Sequence, residues 1–524
     1  MKEKNEQRIM GRSLMGKKIW VQYFTIWLAG LIFMPAAMGN SDNKHRSQRI
    51  AIIGGGASGL TAAYLLKKQG YKYVTVFEKK AAVGGVAHSI EVDSKVYDLS
   101  TMFVPGGTIA GDGIQPLVKE MIDVSGEKLI PAVEFDTLNR DLGLKKMSEY
   151  LQGFEPEELK AQLLRGLNLM TLYASCLADG VSSAECGITL PDDSLENIHA
   201  WGARMGIPAF SHLLVFTSDA LGAGPASVAK ATDALGAGFQ WTPVEAVRIL
   251  SDLGVGVGDL PAGTPPNIVS LIGANQGNGT QRWWFFEKGY QTFWKSLVKK
   301  ARIRVKLAEP VTGLVVKKFH KHTFWVVTTS KRKYWFDCVI VATTPRSAMH
   351  FLPESPQKEL LATAMVKAPP NDVFISRVSG VKDAGFPLQA AWWPVEMGLG
   401  SLDLVNPEAG GGPIKPFFWQ KRHPENVMMI ATYTLSNEIP PEASYEVIQQ
   451  YSVSRLGFSV EQQIAHERFY FPPSPGDRVA WNASWQELQG ENGMFFIGEA
   501  FTGSGVPAIA VGLSRLMPQF FPDR

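Results

Sequence analysis

Cysteine is scarce in this sequence, with three in 524 residues. That number is too small for a disulfide framework, which excludes the class of secreted proteins held together by several bridges. Cys338 lies in an apolar run and is predicted to be a small core residue. Cys176 and Cys186 could pair if the protein is exported. No group of His and Cys residues has the spacing of metal ligands, so the sequence predicts no metal site.

The sequence also lacks an excess of charge of either sign. It has 52 Lys and Arg against 49 Asp and Glu, a formal net charge of +3, and no basic stripe along the sequence indicates a nucleic-acid partner. Internal repeats, low-complexity tracts and the G-x-S-x-G motif of α/β-hydrolases are absent as well. With 45% hydrophobic residues, the chain is long enough for two or three domains and a sizeable core.

The first 39 residues have the pattern of a targeting segment. Six Lys and Arg residues precede an apolar run from Ile19 to Met38, and Ala37-Met38-Gly39 offers small residues for cleavage. We interpret residues 1–39 as a signal peptide, which predicts an exported, periplasmic protein. The alternative is an uncleaved anchor, because the run approaches the roughly 20 residues that span a bilayer. The protein would then be associated with the membrane through this segment.

A strand, a glycine turn, a helix and a second strand are predicted between residues 49 and 78. The β-branched run before Gly54 is typical of a buried strand, and the Ala- and Leu-rich run after Gly59 is typical of a helix. Gly54 allows the tight turn, Gly56 lets a pyrophosphate approach the backbone at the helix N-terminus, and Gly59 lets helix and strand pack closely. Glu78, about 20 residues further on, is placed to bind ribose hydroxyls. The pattern predicts dinucleotide binding; the alternative is an ordinary glycine-rich turn of a parallel sheet.

The C-terminal block indicates which dinucleotide the protein is expected to bind. An apolar strand ends there in Gly498-Glu499, and a second glycine turn leads to a helix from Val506. With Gly84-Gly85 shortly after the second strand, these motifs resemble the FAD-dependent amine oxidoreductase superfamily, which includes monoamine oxidases, protoporphyrinogen oxidase and phytoene desaturase. The resemblance implies that Glu499 holds the flavin ribityl chain. It also implies that the helix from Val506 points its N-terminus at the flavin pyrimidine edge.

A third block joins the two ends. A helix led by Gly289 and a strand at 303–307 precede Val311, whose counterpart in the superfamily contacts the adenine through its backbone. The strand at 337–343 resembles the one beneath the cofactor, with one extra residue before Pro345. No cysteine lies near the C-terminal block, so we predict non-covalent FAD. The predicted cofactor-binding residues are Gly54, Gly56, Ala57, Ser58, Gly59, Glu78, Gly84, Gly85, Val311, Gly498, Glu499 and Val506.

The order of these blocks predicts an α/β fold, a doubly wound FAD-binding (Rossmann-like) domain with an inserted α+β substrate domain and a helical cap. The predicted ranges are 48–108, 282–351 and 465–524 for the FAD-binding domain, and 109–281 and 352–464 for the substrate domain and cap. Within the substrate domain, helices are predicted at 114–124, 156–179 and 225–235, and strands at 373–378 and 428–435.

A closer resemblance within the superfamily is to FAD-containing polyunsaturated fatty acid double-bond isomerases. The segments at 83–89, 423–426 and 469–472 carry it. The resemblance implies a hydride that leaves an allylic carbon and returns at another, without net oxidation. Two departures distinguish the chain from amine oxidases. Val86 stands where they usually carry an arginine, and Ile375 lies near the place of a lysine that assists flavin reoxidation.

Three functions therefore stay open at the level of sequence: an FAD-dependent oxidoreductase acting on a small or lipophilic substrate, a redox-neutral lipid isomerase, and a non-catalytic FAD-containing envelope protein. No catalytic residue is assigned. Aromatic runs at 283–286, 392–393 and 417–419 could line an apolar pocket or lie in the core. His88 could face the cofactor or be an ordinary loop histidine. A small-molecule or lipid substrate is the partner that this reading predicts.

Overall fold

The protein is described by a computed structural model. The residues that it describes are 46–131, 136–145, 153–179, 198–214, 242–275, 283–365, 370–380, 392–394, 411–419, 427–435, 440–451, 459–470 and 484–522, with short gaps at 93, 100, 102, 109–110, 140–142, 212, 321 and 503–504.

The strands in these residues are β1 (Arg49–Ile53), β2 (Tyr73–Phe77), β3 (Ser89–Val92), β4 (Lys95–Asp98), β5 (Val104–Thr108), β6 (Gly111–Ile114), β7 (Leu129–Pro131), β8 (Asp136–Asn139), β9 (Gly143–Lys145), β10 (Trp283–Phe286), β11 (Arg304–Lys306), β12 (Val311–Phe319), β13 (His322–Thr329), β14 (Lys333–Phe336), β15 (Cys338–Val341), β16 (Pro370–Ser379), β17 (Trp392–Pro394), β18 (Gly411–Trp419), β19 (Val427–Leu435), β20 (Ser459–Tyr470) and β21 (Met494–Phe496). The α-helices are α1 (Ala57–Lys68), α2 (Pro116–Ser125), α3 (Pro156–Asp179), α4 (Ile198–Arg204), α5 (Thr242–Asp252), α6 (Pro266–Asn275), α7 (Tyr290–Lys300), α8 (Pro345–Ala348), α9 (Pro356–Met365), α10 (Pro441–Tyr451), α11 (Glu499–Thr502) and α12 (Val506–Phe520).

The parallel sheet has five strands, in the order β11-β2-β1-β15-β21. Its middle strand is apolar on both faces, and Ile50, Ala51 and Ile52 are fully buried. That is expected for a parallel sheet covered on both sides. The strand order reverses direction at β1, so the predicted doubly wound α/β fold is confirmed. Strands from three distant parts of the chain form this one sheet.

The two faces of the parallel sheet are covered differently. On one face α1 packs against α12 and α7, in a core that includes Ile52, Leu60 and Leu513. On the other face lies the antiparallel sheet β12-β13-β14. There the ring of Phe77 makes an edge contact with Phe336 at a centroid distance of 5.8 Å. Both layers are apolar where they meet the parallel sheet, which keeps its strand ends in fixed positions.

A second, antiparallel sheet has the order β18-β19-β16-β20. The strands predicted at 373–378 and 428–435 lie in β16 and β19. β20 continues to Tyr470, beyond the limit of residue 464 that the sequence suggested for this part of the chain. Helix α10 packs on β16, where the rings of Phe374 and Tyr445 lie 5.2 Å apart. β16 is buried on both faces, since Val373 and Phe374 are both fully inaccessible.

The predicted helices are found where the structure describes them. α3 has the predicted bounds, and its apolar stripe is buried at Leu163, Leu167 and Met170. The helix predicted at 114–124 begins later, at Pro116. The reason is local: Gln115 caps it by accepting a hydrogen bond from the Val118 amide at 2.8 Å, and proline suits the first turn. Among the residues that the structure describes, no helix is both long and apolar enough to cross a membrane.

Four sequence-based predictions concern residues outside the described ones. They are the targeting segment at 1–39, the helix at 225–235, the segment at 423–426 and the pairing of the Cys176 side chain with Cys186. Cys338, in contrast, is described and unpaired in the core of the parallel sheet, as predicted. Burial, together with the adjacent Asp337, raises the pKa of its thiol to about 12.

Candidate cofactor and active site

The turn after β1 requires glycine at two positions for the fold itself. Gly54 has φ +116°, and a Cβ there would lie 2.6 Å from the carbonyl oxygen of Ala342 in the strand beside it. A Cβ on Gly59 would lie 2.0 Å from the carbonyl oxygen of Gly54. Neither position has room for a side chain. These two glycines therefore allow α1 to start directly above the end of β1.

At position 56, in contrast, neither the backbone conformation nor the packing of the protein requires glycine. Its φ is −85°, which any residue adopts, and a Cβ would meet the Cα of Gly85 at 3.5 Å, an ordinary contact. Gly56 is the N-cap of α1, and it provides no side-chain cap. The first turn of α1 also contains no acidic residue. The space in front of Gly56 and the uncapped amides of the helix N-terminus fit an anionic group such as a pyrophosphate.

The second glycine pair lies against this turn. The Gly84 amide donates a hydrogen bond of 2.9 Å to the carbonyl of Gly55, and Gly56 and Gly84 form an isolated parallel bridge. A Cβ on Gly85 would lie 2.9 Å from the Cα of Gly56. Close approach of two backbones thus explains this pair. It also extends the narrow, side-chain-free surface in front of α1.

Glu78 ends β2 next to the same turn, and its side chain is buried. One carboxylate oxygen accepts a hydrogen bond from the Gly55 amide at 2.7 Å, and the other accepts one from the Lys80 amide at 2.7 Å. A carboxylate has about four acceptor positions, so two are left for ribose hydroxyls. The Glu309 amide bonds to the carbonyl of Glu78 at 3.0 Å, which brings Val311 to this edge of the sheet.

Glu309 is a second buried carboxylate at this edge, and sequence reasoning missed it. One of its oxygens accepts hydrogen bonds from Tyr334 at 2.5 Å and Thr329 at 3.0 Å. Burial disfavours the charged form, but these hydrogen bonds and the positive charges of Lys306 and Lys331 outweigh it and lower the pKa of Glu309. Glu309 therefore fixes the start of β12, where Val311 lies.

The C-terminal block reaches the site through β21, which pairs with β15. Gly498 follows with φ +135°, and a Cβ on it would lie 3.8 Å from the Ser58 hydroxyl, so this block meets the first turn of α1. The next residue, Glu499, accepts a hydrogen bond from the Gly505 amide at 2.9 Å. Gly505 has φ +86° and begins α12 without a side-chain cap. A second uncapped helix N-terminus thus lies close behind Glu499.

Comparisons with known proteins agree with this geometry. Residues 52–120 match the family of NAD(P)-binding Rossmann-like domains. The crystal structure of a CLA-producing fatty acid isomerase from P. acnes has a TM-score of 0.61 at 15% identity, covering 91% of this chain and 99% of that one. A putrescine oxidase bound to putrescine has a TM-score of 0.57 at 14% identity, covering 90% and 98%. The chain has the fold of the FAD-dependent amine oxidases.

Sequence similarity to curated proteins is short by comparison. A polyenoic fatty acid isomerase of Ptilota filicina is 42% identical over 52 residues, which is 10% of this chain and 10% of that protein. The match therefore spans only a tenth of this relative's length. The Rossmann-like domain and the fold shared with flavin-containing oxidases point to a flavin cofactor. Contacts of the twelve predicted cofactor-binding residues with that group stay a prediction.

In this fold, a carboxylate of the antiparallel sheet β18-β19-β16-β20 connects that sheet to the glycine turns. Glu467 of β20 pairs with Lys80, whose ammonium also donates to the carbonyl of Gly85 at 3.3 Å. The other oxygen of Glu467 lies 2.8 Å from Nδ1 of His88. His88 thus contacts the antiparallel sheet β18-β19-β16-β20. Sequence analysis missed Lys80 and Glu467, because nothing local relates residues that are nearly 400 positions apart.

The side chain of Ile375 lies on the same face of the antiparallel sheet as the side chain of Glu467. Glu467 is directly opposite Val373, and Ile375 is two residues further on, opposite Ala465. Side chains two apart on a strand share a face, so Ile375 is on the side of β16 from which Glu467 contacts Lys80 and His88. It is fully buried. The strand that the sequence aligned with the lysine-bearing strand of amine oxidases thus presents an apolar side chain here.

The aromatic run at 283–286 belongs to the core where its side chains are described. Phe285 lies 4.9 Å from the ring of Phe103, and Phe286 stacks on Phe293 at 4.7 Å. Both are buried. The runs at 392–393 and 417–419 lie in β17 and β18, and their side chains are outside the described part of the chain. Within that part, no group of three His, Cys, Asp or Glu is arranged to hold a metal ion.

Proposed function

We propose that this protein is an FAD-dependent oxidoreductase that takes a hydride from a small or lipophilic organic substrate. One observation carries the proposal: in an amine oxidase fold, two uncapped helix N-termini, two backbone turns without side chains and the carboxylates Glu78 and Glu499 lie at one edge of the parallel sheet. These are the groups that recognise a pyrophosphate and polyhydroxyl chains.

The residues have separate roles toward FAD. Gly56 and Gly85 leave room for the pyrophosphate at the N-terminus of α1, and Glu78 accepts hydrogen bonds from the adenosine ribose. Glu499 binds the ribityl chain, and the N-terminus of α12 supplies a positive dipole to the flavin pyrimidine edge. When bound, FAD supplies the hydride acceptor. The C-terminal block contains no cysteine, which supports binding without a covalent bond.

The first prediction is that the purified protein is yellow and releases FAD on heat denaturation. A flavin without a covalent bond leaves with the unfolded chain, so the supernatant should carry the absorbance and the pellet should not. In an anaerobic screen of amines, alcohols and unsaturated lipids, the true substrate should then bleach the flavin. A folded, colourless protein that takes up no added FAD would contradict the proposal.

A redox-neutral lipid isomerase is the second candidate. Two observations favour it: the similarity to a fatty acid isomerase and the buried Ile375 near the place of the amine oxidase lysine. Anaerobic mixing with polyunsaturated fatty acids separates the candidates. Lasting bleaching supports dehydrogenation, whereas a product of unchanged mass with a shifted double bond supports isomerisation. A photoreduced flavin that reacts with no acceptor, in a protein whose spectrum responds to no ligand, favours a non-catalytic role.

The second prediction concerns Glu499. In a Glu499→Ala variant the Gly505 amide loses its acceptor and the ribityl chain loses a charge-assisted hydrogen bond of about 1.5–3 kcal/mol. We expect FAD retention to weaken by roughly tenfold or more, with a changed flavin absorption spectrum. Glu499→Gln is the matched control, because its carbonyl still accepts from Gly505. Equal retention by the parent and the alanine variant would remove Glu499 from the site.

A further inference from the structure

A groove of about 230 Å³ lies at the opposite edge of the parallel sheet from the glycine turns. Arg49, Tyr73 and Arg304 line it, and they are the first residues of β1, β2 and β11. The glycine turn and Glu78 follow the other ends of β1 and β2. The groove is therefore separate from the cofactor site. We call it the basic groove, because six cations line it: Arg49, Lys67, Lys72, Arg302, Arg304 and Lys306.

No carboxylate is among the residues that line the basic groove. Arg49 is paired with Asp337 at 3.0 Å. Lys306 lies over the Tyr334 ring at 5.7 Å and near the buried Glu309. The other four cations have no ion pair within the described residues. Like charges that lie close together repel one another. A large anionic surface would relieve this repulsion, and its charge is complementary to that of the groove.

Large apolar side chains are exposed beside these cations. Tyr73 and Trp335 line the groove and are 55% and 52% exposed. Val315 lies opposite Val326, which in turn lies opposite Trp335, so Val315 continues the same outer sheet face and is exposed as well. Phe319, at the end of β12, is 66% exposed. Tyr and Trp favour the membrane–water interface.

The sequence places the targeting segment directly before this groove. Residue 39 ends that segment, and Arg49, which lines the groove, is ten residues further on. Ten residues reach at most about 35 Å. In the anchor alternative, in which the segment is not cleaved, it would keep Arg49 within that distance of the lipid headgroups.

We propose that the basic groove, with Tyr73 and Trp335 at its surface, docks on the anionic headgroup surface of a membrane. Each Lys or Arg near such a surface adds to the attraction, which falls off within a Debye length. Docking would orient the amino edge of the sheet toward the lipid. It would leave the cofactor edge, on the far side of the sheet, turned away.

The test uses the full chain with its flavin and compares sedimentation with two kinds of vesicle, phosphatidylcholine alone and phosphatidylcholine with phosphatidylglycerol. A retained apolar N-terminal run would bind both kinds of vesicle, so the measured quantity is the ratio of the two affinities. We expect the parent to prefer the anionic vesicles and to lose that preference at high salt. The variant Lys72→Glu/Arg302→Glu/Arg304→Glu should lower the ratio roughly a hundredfold.

The matched control reverses the charge at three exposed lysines outside the groove. It is Lys119→Glu/Lys128→Glu/Lys288→Glu, and its net charge equals that of the groove variant. It should keep most of the preference. Tyr73→Ser/Trp335→Ser tests the aromatic contribution without any charge change and should weaken binding to the anionic vesicles. Flavin absorbance confirms folding of each variant. A parent without preference, an equal loss in the control, or groove-dependent binding of a single-stranded oligonucleotide without vesicle binding would each overturn the proposal.

Discussion

A Gly56→Leu variant is expected to fold and to purify without its yellow colour. The chain tolerates a side chain at this position, because φ is −85° and a Cβ would make only a 3.5 Å contact with Gly85. A leucine side chain would instead fill the path of the pyrophosphate in front of α1. Loss of two or more charge-assisted hydrogen bonds, about 1.5–3 kcal/mol each, corresponds to a decrease in FAD affinity of roughly a hundredfold or more.

Flavin content per folded chain and titration of the apoprotein with FAD measure this effect. Substitutions at two other glycines serve as controls for this effect. A Cβ on Gly153 would have no neighbouring atom within 4 Å, so Gly153→Leu should fold and keep FAD. Gly59→Ala should fail to fold, because its Cβ would overlap the carbonyl oxygen of Gly54 at 2.0 Å. If folded Gly56→Leu holds FAD as tightly as the parent, the cofactor does not lie on this turn.

The second large effect is expected for Glu78→Ala. The substitution removes the acceptor of two backbone amides, those of Gly55 and Lys80, and the predicted partner of the adenosine ribose. We expect FAD affinity to fall by tenfold or more, from hydrogen bonds of about 1.5–3 kcal/mol. Stability of the apoprotein should fall as well, since one buried and one partly buried donor are left unpaired. Glu78→Gln should be intermediate, because only one of its two terminal atoms accepts.

Paired measurements of FAD affinity and of apoprotein Tm separate the two effects. Asp372→Asn is the control, since Asp372 is a buried carboxylate of β16 whose bonds go to His466 and Arg468. It should lower Tm with little change in FAD affinity. A Glu78→Ala variant that lowers Tm alone, with the affinity of the parent, would make Glu78 a structural residue and move the ribose elsewhere.

The sequence by itself determined the local units of this protein. β1, the glycine turn, α1 and β2 were predictable, because β-branched runs, helical periodicity and close-packed glycines are properties of neighbouring residues. The position of Glu78 at the end of β2 follows from the same local order. The bounds of α3 were predictable for the same reason, since Leu163, Leu167 and Met170 repeat at helical spacing and are buried.

Resemblance, and not local pattern, linked the distant blocks before the structure did. The tertiary structure then decided how they meet: Gly84 bonds to Gly55, and Gly498 lies beside Ser58. The ion pair of Lys80 with Glu467 joins two sheets that no sequence period connects. Contacts of this kind depend on the packing of whole layers, because residues hundreds of positions apart share no local conformational preference.

The charges of the basic groove could not be recognised as a cluster from the sequence either. The sequence has a net charge of +3 and no basic stripe, and on that ground it indicated no nucleic-acid partner. The cations of the groove come from three separate stretches, at 49, at 67–72 and at 302–306. Parallel pairing of β1, β2 and β11 places the starts of these strands side by side. Sequence determines how many charges a chain carries and their order, whereas strand pairing decides which of them share a surface.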